Sequence, residues 1–292
     1  MNFSKILACV TGLGGLVLAV VEAPRMLPIA LHWWHPEIIF SLPSQKKVIY
    51  LTIDDVPSRA TDELLGVLKK HDVHATFFII GSWAQDGAQL SKIVASGSHL
   101  GHHMWTTEAC SRLSGSRFDE QFGENDRLLR KYERPVYFRP PSHFGTKEEM
   151  SYVEAHGYHP ILGTVFPIDS SLTYVPLLKL MVKWLAVPGG VLVMHDGRER
   201  GFRTARVLDE VIPYLKSKGY ELLPLPETPN QSLEPMARSV TRPAGAGRAP
   251  ALTMAHHSTL GDENGVISAR RDHDLRMRFS AKADDWWRLH AV

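Results

Sequence analysis

Four short polar runs in this chain of 292 residues carry the side chains that metal and acid–base chemistry require. The first is Asp54-Asp55, directly after the apolar run Val48–Ile53. Two adjacent carboxylates leaving an apolar strand are costly to desolvate unless a metal ion or a proton partners them. Adjacent side chains on a strand diverge, so one can bind a metal while the other accepts a proton. The structural alternative is a helix cap ahead of Pro57.

The second run places three histidines within five residues, at His99, His102 and His103, and Thr107 and Glu108 follow shortly after. Imidazole nitrogen suits Zn²⁺ and its first-row neighbours, and carboxylates add harder oxygen ligands. A single histidine is more often structural than metal-binding. Three so close together favour a ligand among them.

The third and fourth runs bring an arginine and a histidine to predicted strand ends. Arg139 is followed by Pro140-Pro141, and two prolines restrict the backbone and so fix where the arginine points. A fixed guanidinium can orient a carboxylate. His195 ends the apolar run that begins at Gly190, a position suited to a general acid that titrates near neutral pH. Asp169 also follows a predicted strand.

The elements that must position these residues alternate between strand and helix over about 180 residues. Such alternation predicts an α/β sheet or barrel, whose chemistry collects at the carboxyl ends of the strands. The predicted strands are 48–53, 75–80, 160–165, 190–195 and 220–225, and the predicted helices are 61–71, 89–95, 118–132, 148–156 and 204–218. Thr61 is the predicted N-cap of the first helix. Residues 170–184 are open between a loop and a short helix with Leu177, Leu178, Leu180 and Met181 packed inward.

The two ends of the chain differ from this middle part. Residues 6–21 carry no charge and favour a membrane anchor or uncleaved signal, with a cleaved signal or a buried helix as alternatives. They indicate the secretory route. The Pro/Gly/Ala-rich stretch 242–251 predicts a tail of low order. The expected organisation is therefore 1–40 anchor and interface segment, 41–232 catalytic domain and 233–292 tail.

Composition excludes several classes of protein. The 33 basic and 31 acidic residues nearly cancel, which argues against a protein held to nucleic acid by charge. Apolar residues at 44% and charged residues at 22% are typical of a globular protein. The two cysteines, Cys9 and Cys110, are too few for a disulfide-rich fold.

Together the polar runs resemble the five motifs of the polysaccharide deacetylase family, the NodB homology domain or carbohydrate esterase family 4, over about residues 46–226. The resemblance implies a distorted (β/α) barrel with fewer strands than a complete eight-stranded barrel. It also implies the roles of the site residues: Asp54 as catalytic base, Arg139 as the residue that orients it, His195 as catalytic acid, Asp169 as the acid-motif residue, and Asp55 and His103 as metal ligands.

The resemblance further implies a divalent metal, usually zinc, that polarises an acetamide carbonyl and activates water. The expected reaction removes N-acetyl groups from an N-acetylated polysaccharide of the chitin or peptidoglycan type. Thr107 stands where the family carries a third ligand, His or Asp, and a threonine hydroxyl is a poor zinc ligand. Glu108 is the expected replacement, with His102 and His99 as alternatives.

Two other functions stay open from the sequence. Loss of the third ligand would leave a glycan-binding pseudoenzyme, and some relatives of this domain hydrolyse small cyclic amides or imides. The expected partners are an N-acetylated glycan and, through the N-terminal segment, a membrane, with no nucleic acid. The sequence indicates no oligomeric state.

Overall fold

The structure of the protein, a computed structural model, describes residues 30–42, 44–142 and 145–227. They lie in the first of two units of the chain, residues 1–241. The predicted N-terminal apolar segment and the predicted low-order tail lie outside the described residues, so the domain boundaries stay predictions. In the described part of the chain, no helix combines the length and the apolar character needed to cross a membrane.

Strands and helices alternate as the sequence predicts. The strands are β1 (Val48–Val56), β2 (Thr76–Ile79), β3 (His99–His102), β4 (Tyr137–Phe138), β5 (His159–Pro160), β6 (Gly190–His195) and β7 (Glu221–Leu223). The helices are α1 (Thr61–Lys70), α2 (Ala88–Ala95), α3 (Gly115–Leu129), α4 (Lys147–Ala155), α5 (Val175–Leu185) and α6 (Arg200–Ser217).

Helix boundaries follow local chemistry. In α1, Asp62 and Glu63 occupy the first turn and Lys69 and Lys70 the last, so each charge complements the helix dipole. Helix α4 begins with a capping box, in which the Thr146 side chain accepts from the Glu149 backbone N–H and the Glu149 carboxylate accepts from the Thr146 N–H.

The strands form one parallel sheet in the order β5-β4-β3-β2-β1-β6, with β7 paired to the start of β1. Single β-bridges partly close the gap between the two edges of the sheet: Val165 pairs with Leu192, Ile39 with Ile161, and Ser41 with Gly190. The sheet is therefore a curled, incomplete barrel, which confirms the predicted fold class. Because all strands run the same way, their carboxyl ends meet at one edge.

The core lies between the sheet and the helices around it. Alternate β1 residues such as Ile49, Leu51 and Ile53 pack with Phe77 of β2 and with Val211 of α6, all with no exposed surface. Burial of each such side chain contributes about 1.5–3 kcal/mol to the free energy of unfolding. A rigid apolar frame thus holds the strand ends in place.

Three local predictions are corrected by the structure. The N-cap of α1 is Ala60, and Thr61 is the first helical residue. Of the predicted strand 160–165, only Pro160 lies in the regular ladder of β5, and isolated bridges follow at Ile161 and Val165. Residues Val175–Leu185 form a helix, but Leu177 and Leu180 face solvent while Leu178 is buried with Val182. The 3.6-residue period places only one side of that leucine-rich segment against the core.

Candidate active site

Strand register brings the catalytic candidates together at the carboxyl edge of the sheet. Asp54 of β1 pairs directly with His195 of β6. On the other side of β1, His102 of β3 pairs with Phe138 of β4, so His103 and Arg139 leave adjacent strands together. The residues come from four strands that are far apart in the chain, and the sheet alone makes them neighbours.

Asp54 is held by a buried arginine. One guanidinium nitrogen of Arg139, Nη1, donates to Asp54 Oδ1 at 2.6 Å and to the Thr52 hydroxyl at 2.8 Å. The other nitrogens donate to the carbonyls of Ile161 and Leu162 at 3.3 and 2.9 Å. The guanidinium also lies 4.1 Å from the centre of the Phe78 ring. Together these contacts fix the orientation of the guanidinium, and the guanidinium in turn fixes the orientation of the Asp54 carboxylate.

His195 forms a pair with Asp169. Its Nδ1 lies 2.8 Å from Asp169 Oδ1, and its backbone N–H donates to Asp169 Oδ2 at 2.8 Å. The Thr204 hydroxyl donates to the His195 carbonyl, and Arg203 donates to the Asp169 carbonyl. Since Nδ1 faces the carboxylate, Nε2 is the nitrogen left for proton exchange with a substrate.

The protonation of His195 reflects this environment. Burial of the ring disfavours the charged form, but the hydrogen bond and negative charge of Asp169, with the charges of Asp54 and Asp55, raise the pKa of His195 above 6.5. The imidazolium form therefore persists toward neutral pH, as a general acid requires.

Asp55 and His103 form the start of a metal site. The backbone of Asp55 adopts φ 58°, which separates its side chain from that of Asp54. His103 Nε2 lies 3.6 Å from Asp55 Oδ1. His103 Nδ1 donates to the Arg139 carbonyl at 2.6 Å, so Nε2 is the nitrogen that faces Asp55. Binding through the Nε2 lone pair, the ring and the carboxylate oxygen at this distance would fit a divalent cation between them.

The structure does not bring Glu108 to this pair. The Glu108 carboxylate meets the guanidinium of Arg117 at 3.2 Å. Thr107 is exposed, and its carbonyl accepts from Ser142 at 3.5 Å. Within residues 30–42, 44–142 and 145–227, no three His, Cys, Asp or Glu side chains gather around a possible metal position. Protein donors for a metal are thus one carboxylate and one imidazole, and Glu108 as third ligand stays a prediction.

The two other candidate histidines have structural partners. His102 is fully buried, with Nε2 donating to the Phe122 carbonyl at 3.0 Å and Nδ1 accepting from the Met104 N–H at 3.2 Å. Burial lowers the pKa of His102 to about 4, so the ring is neutral. His99 contacts Glu133 at 2.6 Å. Both rings therefore have partners other than Asp55.

Arg200 is a site residue that the sequence analysis does not identify. Its Nη2 lies 3.0 Å from Asp55 Oδ2, and its Nε donates to the Gly197 carbonyl at 3.0 Å. Burial raises the pKa of Asp55, but the adjacent His103 and the charges of His195 and Arg200 outweigh it and lower the pKa to about 2. Asp55 is therefore ionised at neutral pH.

Asp196 is a second residue that the sequence analysis does not single out. Its buried carboxylate accepts from the Ser58 N–H at 3.0 Å, the Ser58 hydroxyl at 2.7 Å and the Thr61 hydroxyl at 2.5 Å. Its N–H donates to the Asp54 carbonyl at 2.9 Å. These bonds connect the end of β6 to the end of β1, which carries Asp54 and Asp55, and to the turn that follows β1.

Comparison with known proteins identifies the family. The polysaccharide deacetylase family model matches residues 41–161. A chitooligosaccharide deacetylase from Sinorhizobium fredii is 30% identical over 194 residues, which cover 61% of this chain and 90% of that protein. With that coverage, the chain belongs to the polysaccharide deacetylase family, carbohydrate esterase family 4.

Two solved structures show the range within the family. A family 4 pseudoenzyme from Bacillus anthracis is 27% identical, with a TM-score of 0.60 over 64% of this chain and 67% of that chain. A family 4 acetyl xylan esterase from Clostridium thermocellum, in complex with a cobalt ion, is 25% identical, with a TM-score of 0.55 over 63% of this chain and 96% of that chain. The chain therefore resembles both an enzyme with a bound metal and a pseudoenzyme.

Proposed function

We propose that this chain is a metal-dependent hydrolase that removes N-acetyl groups from an N-acetylglucosamine-type polysaccharide, of the chitin or peptidoglycan type. The observation that carries the proposal is the pairing of Asp54 with Arg139 beside the pairing of His195 with Asp169. Register places these two pairs side by side on β1 and β6. One acidic and one basic group, each oriented by a buried partner, is the arrangement that amide hydrolysis needs.

Asp54 acts as the general base. Arg139 occupies its Oδ1, which leaves Oδ2 to accept a proton from the attacking water. The water oxygen then forms a bond to the acetamide carbonyl carbon. Because the guanidinium keeps the carboxylate oriented, the base is in place before the substrate arrives.

His195 acts as the general acid. It donates the proton on Nε2 to the sugar nitrogen as the carbon–nitrogen bond breaks, so the products are the free amine and acetate. Asp169 stabilises the imidazolium before that transfer and holds the ring by Nδ1. The exposed Phe166 ring lies perpendicular to the His195 ring at 6.0 Å between centroids, and it provides an apolar surface next to the acid that suits a sugar ring.

Asp55 and His103 would hold the metal, with zinc as the proposed ion and Glu108 as the proposed third ligand. A bound divalent cation supplies positive charge that polarises the carbonyl and lowers the pKa of water. The cobalt ion in the acetyl xylan esterase supports a divalent metal in this fold. The His103 tautomer, fixed by the Arg139 carbonyl, supports His103 as a ligand.

The direct test is acetate release from an N-acetylated chitooligosaccharide by the full chain with added zinc. His195→Ala is expected to lower turnover about 100-fold or more, the usual contribution of a general acid. His74→Ala, an exposed histidine before β2, is the matched control and is expected to keep wild-type turnover. No acetate from the wild-type chain, or equal turnover in the His195 variant, would contradict the proposal.

A second candidate function is a glycan-binding pseudoenzyme. Among the residues that the structure describes, only Asp55 and His103 meet at the proposed metal position, and Arg200 contacts Asp55. The similarity to the Bacillus anthracis pseudoenzyme supports this alternative. Chitooligosaccharide binding without acetate release, at saturating zinc, would favour it over the hydrolase.

The proposed location is the secretory route, with attachment to a membrane through residues 6–21. Trp33 and Trp34 follow that segment with 84% and 83% of their surface exposed, and tryptophan is typical of membrane interfaces. We expect the full chain expressed in a bacterial cell to sediment with membranes through a high-salt wash. Recovery of the uncleaved chain in the soluble fraction would contradict this location.

A further inference from the structure

We propose that Arg200 competes with the metal for Asp55 and thereby sets a low metal affinity for this site. The inference rests on the proposed metal site and concerns how readily that site fills. Its occupancy would then depend on the free concentration of the divalent cation, with Arg200 holding Asp55 whenever the cation is absent.

The contact between Arg200 and Asp55 is directed by a second bond. Nη2 lies 3.0 Å from Asp55 Oδ2 while Nε donates to the Gly197 carbonyl. The two bonds use different nitrogens of one planar group, so the guanidinium is oriented as well as attracted. Its side chain is 26% exposed, and that of Asp55 is 14% exposed. The pair is thus partly withdrawn from solvent, where screening of charge is weaker.

Gly197 permits this approach. A Cβ atom at Gly197 would lie 2.8 Å from the Asp55 Cβ and 3.1 Å from Arg200 Nη2. Real Cβ atoms do not approach a carbon as closely as 2.8 Å, so any side chain here would push the two partners apart. The turn after β6 therefore has the one residue type that lets the arginine reach the aspartate without displacing it.

Charge balance gives the direction of the effect. Of the carboxylates at this edge, Asp54 contacts Arg139, Asp169 contacts His195, and Asp55 contacts both His103 and Arg200. A divalent cation bound by Asp55 and His103 would therefore meet the positive charge of Arg200 on the first of its donors. Removal of Arg200 makes the net charge beside the same donors more negative by one.

The first measurement is the zinc affinity of the full-length chain by competition with a chromophoric chelator. Arg200→Gln removes the charge and keeps hydrogen-bonding groups. We expect it to bind Zn²⁺ about tenfold or more tightly than wild type, within the range by which outer-shell changes alter metal affinity. Arg200→Lys keeps the charge and is expected to stay closer to wild type.

Arg198→Gln is the matched control, because Arg198 is an exposed arginine two residues away with the same charge. An unchanged affinity in this variant would show that contact with Asp55, and not general charge, causes the effect. The inference would be overturned if Arg200→Gln bound zinc as tightly as wild type or more weakly. It would also be overturned if both glutamine variants gained the same affinity, or if none of the proteins bound zinc. The readout is zinc affinity, so absence of deacetylation would contradict the proposed function alone.

Discussion

Asp54 and Asp55 are neighbours in the chain, yet their side chains have different partners. Asp54 contacts Arg139, whereas Asp55 faces His103 and Arg200. The φ of 58° at Asp55 turns the backbone between them and separates the two carboxylates. One carboxylate is therefore placed for proton transfer and the other for a cation.

Asparagine substitutions should separate these two roles. We expect Asp54→Asn to lower turnover at least 100-fold, because the base is lost, while zinc still binds. Asp55→Asn should lose both zinc and turnover, because an amide oxygen carries no charge for the metal. Zinc content and acetate release measure the two effects. Loss of zinc in Asp54→Asn with retention in Asp55→Asn would reverse the assignment.

Asp169 should control the pH range of activity through His195. The raised pKa of His195 keeps it protonated above pH 6.5, and activity falls as pH rises through that pKa. Asp169→Asn removes the negative charge that does most to raise the pKa of His195, whereas burial of the ring still lowers that pKa. The alkaline limb of the kcat/KM profile should therefore move to lower pH. Asp209→Asn is the control, because Asp209 is a partly exposed, ion-paired aspartate on α6. An unmoved limb in Asp169→Asn would exclude this role.

The sequence identifies some residue partners and not others. Asp54, Arg139, Asp169 and His195 each end a predicted strand or lie in a motif, and the structure pairs them. Arg200 escapes detection because the sequence places the start of the last helix at Thr204, and the contact with Asp55 depends on a turn between β6 and that helix. Such contacts arise from tertiary folding and leave no period in the sequence.

At the scale of elements, the junction between β6, α6 and the turn after β1 positions the site. Gly201 in the first turn of α6 packs against Asp196 and Ala60. A Cβ at Gly201 would lie 2.0 Å from Asp196 Oδ1 and 2.6 Å from the Ala60 Cβ. The close fit keeps the Asp196 carboxylate aimed at Ser58 and Thr61.

Gly201→Ala should therefore destabilise the protein. We expect a loss of about 1–3 kcal/mol in the free energy of unfolding, the usual cost of overpacking. Gly66→Ala in the middle of α1 is the control, because a Cβ there meets nothing within 4 Å. That change should stabilise the helix by about 0.5–1 kcal/mol. Chemical denaturation compares them, and equal stability of the two variants would contradict this packing.

Element prediction succeeds where the apolar pattern is strong. The β6 strand is a continuous apolar run, as is typical of buried parallel strands, and the helices around Leu64 and Leu208 follow an apolar period of 3.6. The structure has all three within a few residues. The two-residue strands β4 and β5 are too short to produce a period. In α5, apolar residues surround the helix, so the sequence alone does not reveal which side faces the core.

At the scale of the whole molecule, the described residues contain one curled sheet with the candidate catalytic residues at one edge. The sequence predicts that residues 233–292 add little to it, because their composition cannot bury enough apolar surface to offset the entropy of ordering. We expect a chain ending at residue 232 to unfold within about 2 °C of the full chain, a shift below about 1 kcal/mol for a domain of this size. A larger fall in Tm would show that the tail stabilises the domain.

The fold of the described residues was predictable because five motifs in order resemble one family. Metal occupancy was not predictable, because it depends on the third ligand and on Arg200, which both differ from the pattern that the resemblance implies. The change of the third ligand is visible in the sequence, as Thr107. The role of Arg200 is visible only in the structure, where the turn after β6 places its guanidinium 3.0 Å from Asp55.

The most direct test of a metal-dependent site is the amount of zinc bound per full-length chain at equilibrium with a saturating concentration of free zinc, measured by equilibrium dialysis. We predict about one zinc per chain, since Asp55 and His103 face a shared position, and loss of that zinc in His103→Ala. The exposed His74→Ala should retain it. No zinc in the wild-type chain after saturation, or equal zinc in wild type and His103→Ala, would contradict the account and favour the glycan-binding pseudoenzyme.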